Sequence, residues 1–338
     1  MSILLQRHGA VEGTGVDAGV AAHYGNPNRE QRLLAEGLAV VDLSHRGVVT
    51  VTGPDRLSWL HSLTTQQLTD LPPRTSVETL LLTPKGHIEH ALHLVDDGTT
   101  TWLTTEPGAA GAVTGWLESM RFMLRVEVED VSDRYAVLGE PVAREAAEGE
   151  PLAWVDPWPG PVGDTFCYGP EADDHPATGR AWRELLVPRG ELAATVGERP
   201  LAGTWAAEAL RVEAWRPRAG VDTDHRTIPH ELDWLRTAVH LHKGCYRGQE
   251  TVARVKNLGR PPRRLVFLHL DGSGHVIPEP GAELTPVEGG RAVGMLTTVA
   301  RHAEDGPIAL ALVKRNLDLG ATLLAGETSA AQTAVVAP

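Results

Sequence analysis

The chain has 338 residues, 42% of them hydrophobic and 22% charged, with a formal net charge of −13. That is the composition of an ordinary soluble globular protein of two or three domains. It excludes a transmembrane span, because no run approaches 18 apolar residues, a secretory signal, because the first residues lack a charged start and a long apolar core, and a general nucleic-acid coat, because phosphate contacts need a surplus of Lys and Arg.

Residues 1–37 are rich in Gly and polar positions and read as a lead-in arm with short strands. Residues 46–52 alternate like a strand, Gly53-Pro54-Asp55 breaks it, and Asp55 can cap a helix over 56–62. Residues 80–83 and 88–95 read as strands around the turn Pro84-Lys85-Gly86. Asp97-Gly98 is a hairpin signal before a third strand at 99–104. Pro107 opens a helix to about residue 120, and 124–131 with 134–138 form an antiparallel pair. The run from Tyr135 to Pro141 echoes the strand and turn from Val49 to Pro54, which suggests two related α+β lobes with a second strand–turn–helix start. Residues 145–180 read as a loop-heavy connection, and 185–196 and 205–212 as helices. Beyond Pro261-Pro262, short apolar runs at 264–270, 292–299 and 308–313 predict a small β-barrel or sandwich. Strands and helices are mixed rather than strictly alternating, so the class is α+β. The expected division is 1–260 for the two lobes and 261–338 for the barrel. No G-x-G-x-x-G or P-loop pattern is present.

The densest chemistry lies in Lys243-Gly244-Cys245-Tyr246-Arg247-Gly248-Gln249-Glu250-Thr251. Flanking cations favour the thiolate of Cys245, and glycines permit backbone that a β-carbon would block. The second cysteine, Cys167, is distant in sequence, so free thiols in a reducing, cytoplasmic setting are expected. From Lys243 to Arg264 seven basic residues, Arg254 among them, face one acid, Glu250, a candidate docking surface for an anion. His240 and His242 would share one face of a strand beside Cys245. They offer part of a metal site or a base for the thiol, but neither a fourth ligand nor an orienting group is identifiable, and no metal is expected.

Lys243–Glu250, K-G-C-Y-R-G-Q-E, resembles the signature of the YgfZ family, folate-binding relatives of the glycine-cleavage T-protein (aminomethyltransferase). Asp42-Leu43-Ser44-His45-Arg46-Gly47, Thr83-Pro84-Lys85-Gly86, Leu210-Arg211-Val212-Glu213-Ala214, and Asp222 with Pro229-His230-Glu231 resemble further family motifs in the right order. The resemblance implies two aminomethyltransferase-type α+β lobes around a central channel, plus a C-terminal β-barrel. It implies binding of tetrahydrofolate or a derivative, possibly polyglutamylated, and a part in assembling or repairing iron–sulfur clusters, including those of tRNA-modifying enzymes. The expected partners are iron–sulfur client or assembly proteins and no membrane, with direct tRNA contact as the lesser alternative. Glu213 takes the place of the carboxylate that accepts the pterin's paired donors. Arg211, Lys243, Gly244, Tyr246, Arg247, Gly248, Gln249, Glu250 and Arg254 complete the expected folate site, and Cys245 is the candidate reactive residue. Trp215 and Tyr246 are candidates to stack on the folate rings. The family's transferases carry an aspartate after the G-x-I of the hairpin. Here Gly86-His87-Ile88-Glu89-His90-Ala91 has none. The reading is therefore a binding protein and not a conventional enzyme, with a folate-dependent one-carbon transferase as the alternative.

Overall fold

The computed structural model describes residues 1–274 and 276–337. Its first sheet is wholly antiparallel, in the order Ser76–Leu82, Ile88–Asp96, Thr100–Thr105, Gly47–Thr52, Glu127–Asp130. Strand alternation sends Val49 and Val51 to one face, where Leu92, Leu94 and Leu103 meet Trp59 and Leu60 of the helix Arg56–Leu63 and Val113 and Leu117 of the helix Ala110–Ser119. Val48, just before them and on the opposite face, packs instead with the second lobe. The Asp97-Gly98 turn forms because Asp97 Oδ1 accepts the N–H of Thr99 and Thr100 and Gly98 takes φ +100°.

The second sheet runs Ala153–Val155, Arg183–Pro188, Tyr135–Glu140, Val40–Asp42, Leu201–Ala202, and only its last pair is parallel. Two sequence expectations change here. Residues 185–196 do not form one helix: Arg183–Pro188 is a strand and only Leu192–Val196 is α-helical, because Pro188-Arg189-Gly190 breaks the run. Tyr135–Glu140 is a strand, but no α-helix follows it before Leu192–Val196. The lead-in arm also carries a helix, Pro27–Ala35, capped by Asn26 Oδ1 and started by Pro27.

Six strands close a barrel: Arg263–Leu270, Gly306–Lys314, Gly294–His302, Glu283–Pro286, Leu323–Ala325 and Thr328–Ala334. Val266, Leu268 and Leu270 fill its interior with Ala309, Ala311 and Val313. The alternate residues Leu265 and Phe267, with Leu310 and Leu312, face outward onto Trp215, Leu232, Trp234, Tyr246 and Val252. One strand thus serves two cores. Each fully buried aliphatic side chain contributes roughly 1.5–3 kcal/mol, so the docked barrel is integral to the fold.

Candidate functional site

Two features carry chemistry, a loop around Cys245 and a cavity between the lobes. In the loop, Gly244 (φ +101°) and Gly248 (φ +84°) take left-handed backbone, and Gly248 starts the helix Gln249–Leu258. Lys243 is buried; its Nζ donates to the carbonyls of His61 and, at 2.6 Å, Thr64, the open end of the helix Arg56–Leu63. A cation there complements the helix dipole. His61 Nε2 returns a bond to the Lys243 carbonyl at 3.0 Å. The ammonium also lies 5.0 Å from the Tyr246 ring centre. Burial pushes its pKa down to about 8. Arg247 pairs with Glu89 at 3.1 Å and stands 5.5 Å over the ring of Trp116. Cys245 is exposed and free.

This settles part of the local geometry. Lys243, Tyr246 and Arg247 are held by protein groups, whereas Glu250 and Arg254 are exposed on the helix and Gln249 is half-buried. Tyr246 packs in the barrel–lobe core. His240 and His242 do not share a strand face; they lie in a turn, where His240 Nδ1 accepts the His242 N–H and His242 Nδ1 pairs with Asp164. An orienting group for His242 therefore exists, from a segment 78 residues away. Part of the basic run is consumed by the fold: Arg263 pairs with Asp224 and Glu231, and Arg264 donates to carbonyls, whereas Arg254, Lys256 and Arg260 stay exposed.

The cavity measures about 340 Å³ and none of residues 243–254 borders it. Arg46 reaches Glu106 at 3.0 Å and Glu184 at 2.6 Å. Arg216 reaches Glu78 at 2.6 Å and Asp156 at 3.2 Å. Arg218 joins Glu106 and Asp17 at 2.8 and 2.9 Å. His93 lies stacked on Trp154, ring centres 3.6 Å apart, with Nδ1 2.9 Å from Glu184. Burial alone would raise the carboxyls of Glu106, Asp156 and Glu184. Their arginine partners outweigh it, and all three stay below the ordinary carboxylate range. Four buried polar atoms of cavity-lining residues, Arg46 Nε, Thr204 Oγ1, Arg216 Nη1 and Trp234 Nε1, have no hydrogen-bond partner among the described residues, and all four are sealed beneath the cavity surface.

Glu213 ends the helix Thr204–Glu213 at the cavity border, 47% exposed, with Oε2 3.5 Å from His302 Nε2. His302 Nδ1 accepts the Asp305 N–H at 3.1 Å and lies 3.3 Å from the Asp305 carboxylate. Arg211 is different. All five of its N–H groups are taken, by Glu208, Asp222, the Arg216 carbonyl and Thr298, so it braces the helix against the barrel. A register shift between Leu296 and Thr298 lets both Thr297 and Thr298 donate to Asp222 Oδ1. Trp215 packs against Phe267 in the barrel–lobe core. Sequence reading missed the cavity arginines and their acids, which come from distant segments; the run Arg211, Arg216, Arg218 was the one visible signal. Ala91 does border the cavity.

Residues 3–144 match the GCVT N-terminal domain. The chain is similar to the putative transferase At1g60990, chloroplastic, of Arabidopsis thaliana, at 26% identity over 91% of this chain and 73% of that protein. It is also similar to the aminomethyltransferase of Synechococcus sp. (strain RCC307), at 29% identity over 85% of this chain and 82% of that protein. In structure it resembles the glycine cleavage system aminomethyltransferase T from Bartonella henselae, with TM-score 0.75 and 21% identity, over 99% of this chain and 95% of that one. The fold of the chain is therefore of the aminomethyltransferase type. Among the described residues no helix is long and apolar enough to cross a membrane.

Proposed function

We propose that the chain binds tetrahydrofolate or a derivative in the cavity between the lobes and acts as an accessory protein for iron–sulfur cluster assembly or repair, not as a transferase with rapid turnover. The observation that carries the folate reading is the cavity of about 340 Å³ lined by Arg46, Arg216 and Arg218, with the half-exposed carboxylate of Glu213 at its border. The volume lies in the range of small-ligand sites. Glu213, half-exposed at the border, is the carboxylate free enough to accept a pterin's paired donors.

Bound tetrahydrofolate would supply one-carbon chemistry at its ring nitrogens. The chain offers little to drive it. Ala91 has no acid function, and Glu106, Asp156 and Glu184 are held ionised by arginines, so none can give up a proton near neutral pH. The iron–sulfur role rests on the K-G-C-Y-R-G-Q-E signature and on the exposed thiol of its Cys245. The alternative, a folate-dependent transferase, is favoured by the aminomethyltransferases among its relatives. Calorimetry with tetrahydrofolate tests the binding: heat that Glu213→Ala diminishes supports it, and no heat with no thermal shift ends it. Formaldehyde release from candidate methylamines would establish the transferase instead. Iron–sulfur enzyme activities in a deletion strain rescued with Cys245→Ser test the accessory role; full rescue would make the thiol structural.

A further inference from the structure

Six arginines are buried among the described residues: Arg183, Arg211, Arg216, Arg218, Arg236 and Arg264. Five hold a carboxylate within 4.0 Å. Arg264 has no such partner among the described residues. It is only 5% exposed. Its two terminal nitrogens donate to the carbonyls of Arg315 and Leu317, at 3.1 and 2.7 Å, and its Nε has no acceptor at all. Asp318 attracts it from beyond ion-pair distance, yet burial still pushes the guanidinium below its ordinary value.

Arg264 lies in the wall of an open groove of about 870 Å³, where the end of the helix Gln249–Leu258 meets the barrel. Lys256, Arg260 and Arg315 stand in the same wall with Asn316, and among the described residues no acidic side chain borders the groove. Those three cations are exposed and take part in no ion pair among the described residues. In a chain of net charge −13, four cations converge here, one of them desolvated, with no counter-ion on the wall among the described residues. Such a cluster repels itself unless an anion occupies it, because a buried charge needs a partner. None of these residues borders the cavity between the lobes.

We propose that this groove is a second ligand site, for a polyanion carrying two or more phosphate or carboxylate groups. Lys256 and the guanidinium forks of Arg260 and Arg315 would take the anionic groups through charge-assisted hydrogen bonds, and the bound charge would offset that of Arg264 behind them. The site stands independently of folate binding in the cavity.

The test uses the full chain, without folate, at low ionic strength. Inorganic pyrophosphate and γ-linked triglutamate are titrated separately by calorimetry, and thermal unfolding is followed with each. At least one probe is expected to bind and to raise Tm. Pyrophosphate alone assigns a phosphorylated ligand, and triglutamate alone a polycarboxylate chain. The triple variant Lys256→Gln, Arg260→Gln, Arg315→Gln changes only exposed side chains. It should bind at least about tenfold more weakly, with a shallower salt dependence. The proposal is overturned if neither probe gives heat or a Tm shift at about 5 mM, or if the triple variant binds like the unaltered chain.

Discussion

Gly86 and Gly248 meet backbone to backbone. A β-carbon on Gly248 would stand 3.0 Å from Gly86 Cα and 2.6 Å from the Thr83 carbonyl oxygen, and one on Gly86 would stand 3.2 Å from the Gly248 carbonyl oxygen and 2.7 Å from Thr251 Cβ. The contact fits the hairpin turn of the first lobe against the start of the helix that carries Gln249 and Glu250.

Gly86→Ala and Gly248→Ala should each destabilise the fold by strained dihedrals, roughly 1–3 kcal/mol, plus overpacking of similar size. Gly244→Ala is the control. Its φ is +101° but nothing lies within 4 Å of the added carbon, so only the dihedral cost applies. Urea denaturation separates the cases. Equal losses for Gly244→Ala and Gly248→Ala would deny the contact any part.

Lys243 should give stability a pH dependence above neutrality. Its folded pKa, about 8, lies below the ordinary 10.5. Between those values the unfolded lysine keeps its proton while the native one has shed it, so stability rises with pH across the window. Below pH 8 both forms are protonated and the burial penalty is fully present. The rise should be roughly 1–3 kcal/mol. It should be absent from Lys243→Met, whose difference from the unaltered protein is read by denaturation at pH 7.5 and 10.5. Parallel curves would show that the ammonium is not desolvated.

Asp233 and Arg236 form a fully buried pair, both 0% exposed, with contact at 2.6 Å. Asp233→Asn should cost on the order of 3–5 kcal/mol, because it leaves a buried guanidinium uncompensated. Asparagine tolerates the left-handed backbone at this position, φ +56°, so the loss reports charge and not strain. The double variant Asp233→Asn, Arg236→Met should recover part of it. A single variant within about 0.5 kcal/mol of the unaltered protein contradicts this account.

Thiol labelling should be biphasic. Cys245 is exposed, whereas Cys167 is partly buried and burial pushes its thiol up. Cys245→Ser should remove the fast phase and leave the slow one. Loss of the slow phase instead would reverse the assignment.

What was legible in the chain was what is local. The hairpin at Asp97-Gly98 and the barrel after Pro262 follow from turn residues and alternating apolar positions; the helix after Asp55 forms where expected, but Asp55 does not cap it, because its carboxylate accepts from Arg125 instead. The region 185–196 misled because Leu185, Leu186, Leu192 and Val196 fit a helical spacing, although Pro188 and Gly190 interrupt it. The loop at Cys245 was conspicuous because its residues are contiguous. The cavity was hidden because its ion pairs join Arg46 to Glu184 and Arg216 to Glu78, 138 residues apart in both cases. Arg211 looked like a ligand-binding group beside Glu213, but helical geometry turns it toward Asp222 and Thr298.

The capping of the helix Arg56–Leu63 by Lys243 has a temporal side. Its acceptor at His61 precedes the lysine by 182 residues. During synthesis at about 5–20 residues per second, that helix end waits roughly 10–35 s for its cation. The nascent first lobe therefore leaves the ribosome with open carbonyls and an unfilled seat for the Gly248 turn. Its maturation is tied to the arrival of the cysteine loop, so a chain truncated before residue 243 would be a client for chaperones.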